Sequence, residues 1–264
     1  MAVSAWRSVG CAGLALLALA VPAAAPLARE WRTVRIATEG AYPPFNFTDA
    51  DNQLRGFEVD LGKALCARMK VECVFVQEDW DNLIRGLRRD RFDAIMASME
   101  ITDERRERIA FSRRYYRTPP VFMIRTDSDV AGVSPEALKG RRLGAMADTV
   151  YATYLQDLYG ADSTVRLYAN QDEASLDLAL GRLDAVLGDR IALSVWLKRG
   201  REASCCRFLA EPPFDPAYFG EGYGVGLRKK DDDLRQMFDD AIASIQADGV
   251  YDEIRARYFD FDVK

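Results

Sequence analysis

Acidic side chains recur where the predicted strands of this sequence end. Each stands in a loop directly after an apolar, β-branched segment, and the four acids are Glu39, Glu100, Asp148 and Asp189. Two aromatic residues, Tyr42 and Trp80, belong to the same set of loops. Carboxylates pair with ammonium and guanidinium groups, and such cations also stack on aromatic faces. The set therefore predicts a binding site for a small cation.

Each of these residues also has a structural explanation. Glu39 and Asp148 could be solvated loop acids, because charged side chains are usually exposed, and Trp80 could pack in a core. Thr102 and the two acids that follow it predict a helix N-terminus that needs no ligand. Arg105, in that helix, could pair with neighbouring acids or could clamp a ligand carboxylate.

Strand and helix patterns alternate along the chain and place these loops. Between residues 34 and 97 strands and helices are predicted in turn, at 34–38, 57–69, 71–76, 80–89 and 92–97. The helix at 57–69 has one apolar face, formed by Phe57, Leu61, Leu65 and Met69. This β-α-β order predicts a mostly parallel sheet with helices on its faces.

Part of the pattern occurs twice. The segments RFDAIM (91–96) and RLDAVL (182–187) both end a helix pattern and begin a strand. A strand at 142–146 corresponds in role to that at 34–38, and the C-terminal part predicts a return strand at 224–227 and one helix over 232–259. We therefore predict an α/β fold of two similar lobes, with the ligand in the cleft at the carboxyl ends of their strands.

The composition excludes several functions. The chain has 264 residues, 49% of them apolar and 29% charged, which is typical of a globular protein with one large domain or two lobes. It contains no histidine, which excludes Ser-His-Asp and Cys-His catalysis and histidine-ligated zinc or haem. A net charge of −5 without a long basic run argues against a nucleic-acid partner. We expect no cofactor and no metal.

Residues 1–28 have the three-part order of a secretory signal peptide. Arg7 precedes an apolar run at 10–21, and small residues follow, so we expect cleavage between Ala23 and Ala28. A membrane anchor is the alternative, although the run is shorter than the roughly 20 residues of a spanning helix. The signal predicts a periplasmic protein.

The cysteines fit an oxidising compartment. Cys66 lies near the end of a helix pattern and Cys73 enters a strand, so a disulfide between them would staple that corner; two free buried thiols are the alternative. Cys205 and Cys206 are adjacent and could pair only through a strained ring, which leaves their state open.

Several motifs together resemble the periplasmic polar-amino-acid and opine binding proteins of ABC importers, solute-binding protein family 3. The resemblance runs from about Trp31 to the C-terminus. It is carried by IATEGAYPPF (36–45), GFEVDL (56–61), WDNLI (80–84), FDAIMASM (92–99), ITDER (101–105), YANQ (168–171) and GVGLRK (224–229).

The resemblance implies a two-lobed periplasmic binding protein type II fold that closes around one solute. Lobe one would comprise residues 30–118 and 220–264, lobe two residues 119–219, and two crossover strands would join them. It also implies a disulfide between Cys66 and Cys73. The partners would be an amino acid or a derivative of one and a membrane ABC permease, and we expect a monomer.

By position, the resemblance also assigns roles to the predicted site. Arg105 would clamp the ligand α-carboxylate, helped by backbone N–H groups near Thr149 and Val150. Asp189 and the segment Ala97, Ser98 and Met99 would take the α-amino group. The side-chain pocket, which resembles that of members binding arginine, ornithine, lysine or opines, would be formed by Glu39, Tyr42 and Trp80.

Two positions depart from the family pattern. Glu100 replaces a small residue, and Asp148-Thr149-Val150 replaces a Gly-[Ser/Thr]-Thr type loop. A desolvated Glu100 would repel a ligand carboxylate by several kcal/mol unless Arg105 or a ligand cation occupied it. We therefore expect a ligand more cationic than a neutral amino acid.

Three functions fit these observations. The first is capture of a basic amino acid or a related cationic compound for an ABC importer, without catalysis. The second is a periplasmic dehydratase on the same scaffold, with Glu100 or Glu39 as general acid. The third is a sensor or accessory binding protein without a transport role.

Overall fold

The computed structural model describes residues 1–4, 30–198, 202–259 and 262–263. The expected signal peptide falls outside these ranges apart from its first four positions. None of the helices in the described ranges combines the length and apolar character needed to cross a bilayer. The strands are β1 (Thr33–Thr38), β2 (Ala41–Tyr42), β3 (Asn46–Thr48), β4 (Leu54–Arg55), β5 (Glu72–Gln77), β6 (Ala94–Ile95), β7 (Ala110–Tyr116), β8 (Pro120–Arg125), β9 (Arg142–Met146), β10 (Thr164–Tyr168), β11 (Ala185–Asp189), β12 (Cys206–Phe208) and β13 (Tyr223–Leu227).

Helices cover the faces of these strands, because their apolar sides pack on the sheets. The helices are α1 (Phe57–Met69), α2 (Leu83–Arg88), α3 (Asp103–Arg108), α4 (Val150–Tyr159), α5 (Gln171–Ala179), α6 (Arg190–Trp196), α7 (Pro216–Phe219), α8 (Asp232–Ala247) and α9 (Val250–Arg255), with 3₁₀ turns at Trp80–Asn82 and Glu202–Cys205. Helix α1 begins and ends as predicted. Phe57, Leu61 and Leu65 are fully buried, and Met69 packs at the edge of the same core.

Two five-stranded sheets form the framework. The first has the order β5-β1-β6-β13-β7 and the second β10-β9-β11-β8-β12. In the first sheet β1 pairs in parallel with β5 and β6, and β13 runs antiparallel to both of its neighbours. In the second sheet β9 is parallel to β10 and β11, and β8 is the antiparallel strand. The predicted α/β fold with two mostly parallel sheets is confirmed.

The chain passes between the sheets twice. It leaves the first sheet after Tyr116 and enters the second at Pro120, then returns between Phe208 and Tyr223. The expected lobe boundaries, 118/119 and 219/220, fall within these two passages and remain predictions. A small antiparallel sheet, β2-β3-β4, is formed by the segment that follows β1.

The repeated motif has one structural role in both sheets. The Asp93 carboxylate accepts hydrogen bonds from the backbone N–H of Arg35 (3.1 Å) and from its guanidinium (2.9 and 3.0 Å). Asp184 accepts the same set from Arg142, at 2.7, 3.0 and 2.7 Å. Each aspartate thus fixes the start of one strand against its parallel neighbour.

Three predicted elements differ from the structure. The strand at 92–97 is reduced to the two residues of β6, and the helix at 80–89 begins as a 3₁₀ turn before α2. The single helix at 232–259 is wrong, because α8 ends at Ala247 and α9 begins at Val250. Gly249 between them has φ of 86°, a left-handed conformation that glycine adopts readily and that interrupts the helix.

Two disulfides are present among the described residues. Cys66 of α1 is bonded to Cys73 of β5, which confirms the pairing that the family resemblance implies. Cys205 and Cys206, whose state was open, are bonded to each other.

Candidate functional site

A cavity lies where strands of both sheets end. The loops after β1, β6 and β9 supply half of its lining residues, and the space, including the part open to solvent, is about 300 Å³. The lining residues are Glu39, Tyr42, Trp80, Ala97, Ser98, Glu100, Met146, Thr149, Tyr151 and Gln171.

Glu39 is the acid that follows β1, and its side chain is buried without a counter-charge. The residue is 8% exposed, and within the described chain no donor or cation contacts its carboxylate. Burial, together with nearby acids, raises the pKa of Glu39 to about 7. A cation entering the cavity would stabilise the ionised form, so Glu39 is an acceptor available to a ligand.

Glu100 has a counter-charge, in contrast to Glu39. The Arg105 Nη1 atom donates to the Glu100 Oε2 atom at 2.7 Å and to the Glu100 backbone carbonyl at 3.1 Å. The side chains of Glu100 and Arg105 are only 6% and 8% exposed, so the ion pair is shielded from water. Arg105 itself belongs to α3, which Thr102 caps as predicted by accepting the Arg105 backbone N–H at 3.3 Å.

Trp80 and Arg105 connect the two halves of the site. Trp80 Nε1 donates to the backbone carbonyl of Asp148 at 3.2 Å, and Arg105 Nη2 donates to the same oxygen at 3.0 Å. The guanidinium also lies over the Trp80 ring, 5.4 Å from its centre. Asp148 presents this carbonyl from a left-handed conformation with φ of 56°. These contacts join side chains from the part of the chain that forms the first sheet to the loop after β9, which is a strand of the second sheet.

Thr149 caps α4, and its hydroxyl both accepts and donates a hydrogen bond. Its hydroxyl accepts the Ala152 backbone N–H at 3.2 Å and donates to the Met146 carbonyl at 2.7 Å. The cap explains why the helix begins at Val150, since a threonine in extended backbone satisfies a free N–H of the first turn.

Ser98 is held by Glu58, a buried acid that was not predicted as a site residue. The Glu58 carboxylate accepts the Ser98 backbone N–H at 2.7 Å and its hydroxyl at 3.1 Å. Asn46 donates to Glu58 at 2.7 Å, and Tyr115 donates as well. Burial raises the pKa of Glu58, and these four donors act in the opposite direction. Ser98 is thereby fixed in a left-handed conformation at the cavity wall.

Asp189 lies behind the cavity and does not line it. One oxygen accepts the backbone N–H groups of Ile191 (2.8 Å) and Ala192 (3.0 Å), capping α6. The other accepts the hydroxyls of Tyr223 (3.0 Å) and Thr118. The side chain is fully buried, and burial raises the pKa of Asp189 to about 6 despite the four donors. Its expected contact with a ligand amino group remains a prediction.

The structure divides the predicted site residues into three groups. Glu39, Tyr42, Trp80, Ala97, Ser98, Glu100 and Thr149 surround the cavity. The other predicted residues apart from Asp189 line a larger open groove beside it, and these are Met99, Arg105, Asp148 and Val150. Trp80 and Thr149 face both spaces. The roles of all these residues in ligand binding remain predictions.

Three lining residues were not predicted. Met146 is the last residue of β9, Tyr151 lies in the first turn of α4, and Gln171 begins α5. Their positions at the ends of elements, beside loops already singled out, were the available signal. Tyr151 is hydrogen-bonded to Tyr223 (3.1 Å between the hydroxyl oxygens), a contact between distant chain segments that no local pattern predicts.

The described residues contain no group of three or more cysteine, aspartate or glutamate side chains arranged to hold a metal ion. The chemistry of the cavity wall is that of two carboxylates and several aromatic rings, which suits a small organic cation.

Comparison with known proteins gives a consistent result. The family model for bacterial extracellular solute-binding proteins, family 3, matches residues 34–261. The L-arginine-binding protein of Pseudomonas aeruginosa is 39% identical over 252 residues, which cover 95% of this chain and 96% of that protein. The lysine/arginine/ornithine-binding periplasmic protein of Escherichia coli is 38% identical, with coverage of 95% and 96%.

A solved structure is similar over the same region. It is that of a Salmonella typhimurium periplasmic binding protein, described as the structural basis for high arginine specificity. The TM-score is 0.77 at 34% identity, and the match covers 86% of this chain and 99% of the other.

Proposed function

The chain belongs to family 3 of the bacterial extracellular solute-binding proteins, and from that premise we propose that it is the periplasmic binding component of an ABC importer for a small cationic solute. The ligand class is arginine, ornithine, lysine or a related cationic or opine-like compound. The observation that carries this proposal is the Glu39 carboxylate, which is buried in the cavity between aromatic residues without a counter-charge among the described residues.

Binding is proposed to close the two lobes around the solute. The cavity wall is drawn from both sheets, so a ligand there would contact both sides and bind fully only to the closed form. The population would then shift toward closure, and the closed form would be the one that a membrane permease recognises. The proposal includes export through the N-terminal signal and action as a monomer.

A thermal-shift screen tests the ligand class. The mature protein is heated with arginine, ornithine, lysine, agmatine or putrescine, and with glutamine, glutamate and leucine as neutral, acidic and apolar controls. A ligand that binds only the folded protein raises its melting temperature. We expect the largest shift from a cationic compound. A larger shift from glutamine or glutamate would contradict the proposal.

Binding without chemical conversion is also part of the proposal. Glu100, one of the two acids considered as a general acid, is held by Arg105 at 2.7 Å. Incubation with prephenate, followed by chromatography of the reaction mixture, should return the substrate unchanged. Formation of a dehydrated product would favour the enzymatic alternative.

A further inference from the structure

The Glu100–Arg105 ion pair changes what the cavity can accept. Arg105 is the guanidinium expected to hold a ligand carboxylate, yet it already contacts the Glu100 carboxylate and the Asp148 carbonyl and lies against Trp80. Among the described residues that line the cavity there is no Lys or Arg. A ligand carboxylate placed there would have to displace Glu100 from Arg105 or remain next to a second carboxylate.

The neutral donors of the cavity wall are also engaged. Ser98 gives its hydroxyl and backbone N–H to Glu58, and the Thr149 hydroxyl donates to the Met146 carbonyl. Tyr223 donates to Asp189, so the Tyr151 hydroxyl is the donor in its contact with Tyr223. The wall therefore has few donors left for an anion.

Acceptors, in contrast, remain open. No donor among the described residues contacts the Glu39 carboxylate, and of the two Glu100 carboxylate oxygens Arg105 contacts only Oε2. The aromatic rings of Tyr42 and Trp80 add faces on which a cation can stack. The wall thus suits a ligand that supplies hydrogen-bond donors and positive charge.

The start of α4 is the other place where an anion could bind, because helix N-termini favour negative charge. Asp148 stands directly before the Thr149 cap and brings an acidic side chain to this position. Where a ligand carboxylate would approach, the chain thus supplies two carboxylates of its own, those of Glu100 and Asp148.

We infer that the ligand is a small amine or guanidine without a free α-carboxylate, because Glu100 occupies Arg105 in the place that the α-carboxylate of an amino acid would take. Decarboxylated basic amino acids and short polyamines have this chemistry. The inference rests on the proposed function and narrows it. Glu100 is, on this account, the specificity-determining residue of the site.

Isothermal titration calorimetry with matched ligands tests the inference. The ligand pairs are arginine with agmatine and ornithine with putrescine, in which the members differ by the α-carboxylate. Arginine methyl ester, which keeps the bulk of that group without its charge, separates charge from size. For the unaltered protein we expect agmatine to bind at least tenfold more tightly than arginine, with the methyl ester closer to agmatine.

The Glu100→Ser variant should reverse this order. Removal of Glu100 frees Arg105 for a ligand carboxylate, so arginine should gain at least tenfold in affinity while agmatine loses affinity. Glu104→Ser is the matched control, because it removes the same charge from an exposed side chain of α3, the helix that contains Arg105. The control should leave both affinities unchanged.

The outcomes separate the two proposals. If the unaltered protein binds arginine as tightly as agmatine or more tightly, the inference is wrong and the proposed function stands. If it binds none of the cationic ligands, both fail. Should Glu100→Ser not fold, the ligand pairs with the unaltered protein decide the question alone.

Discussion

The two sheets can be compared strand by strand, since β5-β1-β6-β13-β7 and β10-β9-β11-β8-β12 correspond in order and direction. In each, the antiparallel strand is the one that the chain forms directly after crossing from the other half. In each sheet, an arginine of the second strand forms an ion pair with the aspartate that precedes the third strand. The two pairs are Arg35–Asp93 and Arg142–Asp184. The framework is therefore duplicated.

The strand ends are not duplicated. Ser98 and Asp189 stand equally far along the chain from Asp93 and Asp184, but Ser98 is a donor to Glu58, whereas Asp189 is an acceptor for four donors. Of the two acids that line the cavity, Glu39 has no donor among the described residues and Glu100 has Arg105, and both belong to loops that follow strands of the first sheet. The two sheets thus share a framework, and the first sheet supplies both carboxylates of the cavity wall, which we propose select the ligand.

The largest expected effect tests the duplicated framework. Asp93 also binds Arg228 at 3.0 Å, with both side chains only 5% exposed, whereas Asp184 holds Arg142 alone. Asp93→Ala would remove the acceptor of three hydrogen bonds from Arg35 and of one from the buried Arg228 guanidinium, which keeps its ion pair with Asp231, and should lower the free energy of unfolding by about 3–4 kcal/mol. Asp184→Ala, at a more exposed pair, should cost about 1–2 kcal/mol. Urea unfolding measures both, and equal losses would contradict the difference between the halves.

The next effect is a pH dependence that arises from Glu39. Its pKa in the folded protein, about 7, lies above the ordinary value of 4.5, so its contribution to stability is present below pH 4.5 and lost as the pH rises through 7. Without ligand, Glu39→Gln should therefore be more stable than the unaltered protein by up to about 3 kcal/mol at pH 8 and nearly equal to it at pH 4.5.

Urea unfolding at several pH values checks this prediction. Glu104→Gln is the control, because its side chain is exposed and its removal should leave the pH profile unchanged. A constant difference between Glu39→Gln and the unaltered protein at every pH would show that Glu39 is not the titrating group.

Asp189→Asn should have the opposite sign. The amide of asparagine keeps one acceptor oxygen and has an N–H₂ donor in place of the other. Either the two backbone N–H groups or the two hydroxyls that contact Asp189 therefore lose their acceptor. We expect a loss of about 2 kcal/mol in the free energy of unfolding at pH 8. A variant as stable as the unaltered protein would mean that these donors find other acceptors.

The smallest effect concerns the Thr149 cap of α4. Thr149→Ala removes the acceptor for the Ala152 N–H and should cost about 1 kcal/mol. Thr153→Ala, in the same helix, loses only a long contact (3.4 Å) and should cost less. Thermal unfolding of the pair measures the difference, and a larger loss at Thr153 would contradict the assigned cap.

Much of this architecture follows from local patterns in the sequence. The helix Phe57–Met69 was predicted because its apolar residues recur on one face, and the acids after the strands were found because turns follow apolar runs. The disulfide Cys66–Cys73 required the family resemblance. The repeated segments indicated a second copy of the sheet. The ion pair that the aspartate of each segment forms with an arginine of the neighbouring strand is seen only in the three-dimensional structure.

What local patterns missed depends on distant contacts. In the sequence Glu58 looks like an ordinary acid in the first turn of α1. In the structure it is fully buried, and Ser98, Asn46 and Tyr115 donate hydrogen bonds to its carboxylate. The break at Gly249 was missed because apolar spacing continues on both sides of it. The sequence left open whether the Glu100 carboxylate pairs with Arg105 or with a cation of the ligand, and in the structure it pairs with Arg105.

The most direct test is a calorimetric titration of the unaltered protein and Glu39→Gln with arginine, agmatine and citrulline, an analogue of arginine whose side chain is uncharged. We predict that at least one of the two guanidinium ligands binds 100-fold or more tightly than citrulline, and that Glu39→Gln removes this preference. If citrulline binds as tightly as both, or if Glu39→Gln leaves the preference unchanged, the buried carboxylate does not select a cationic solute.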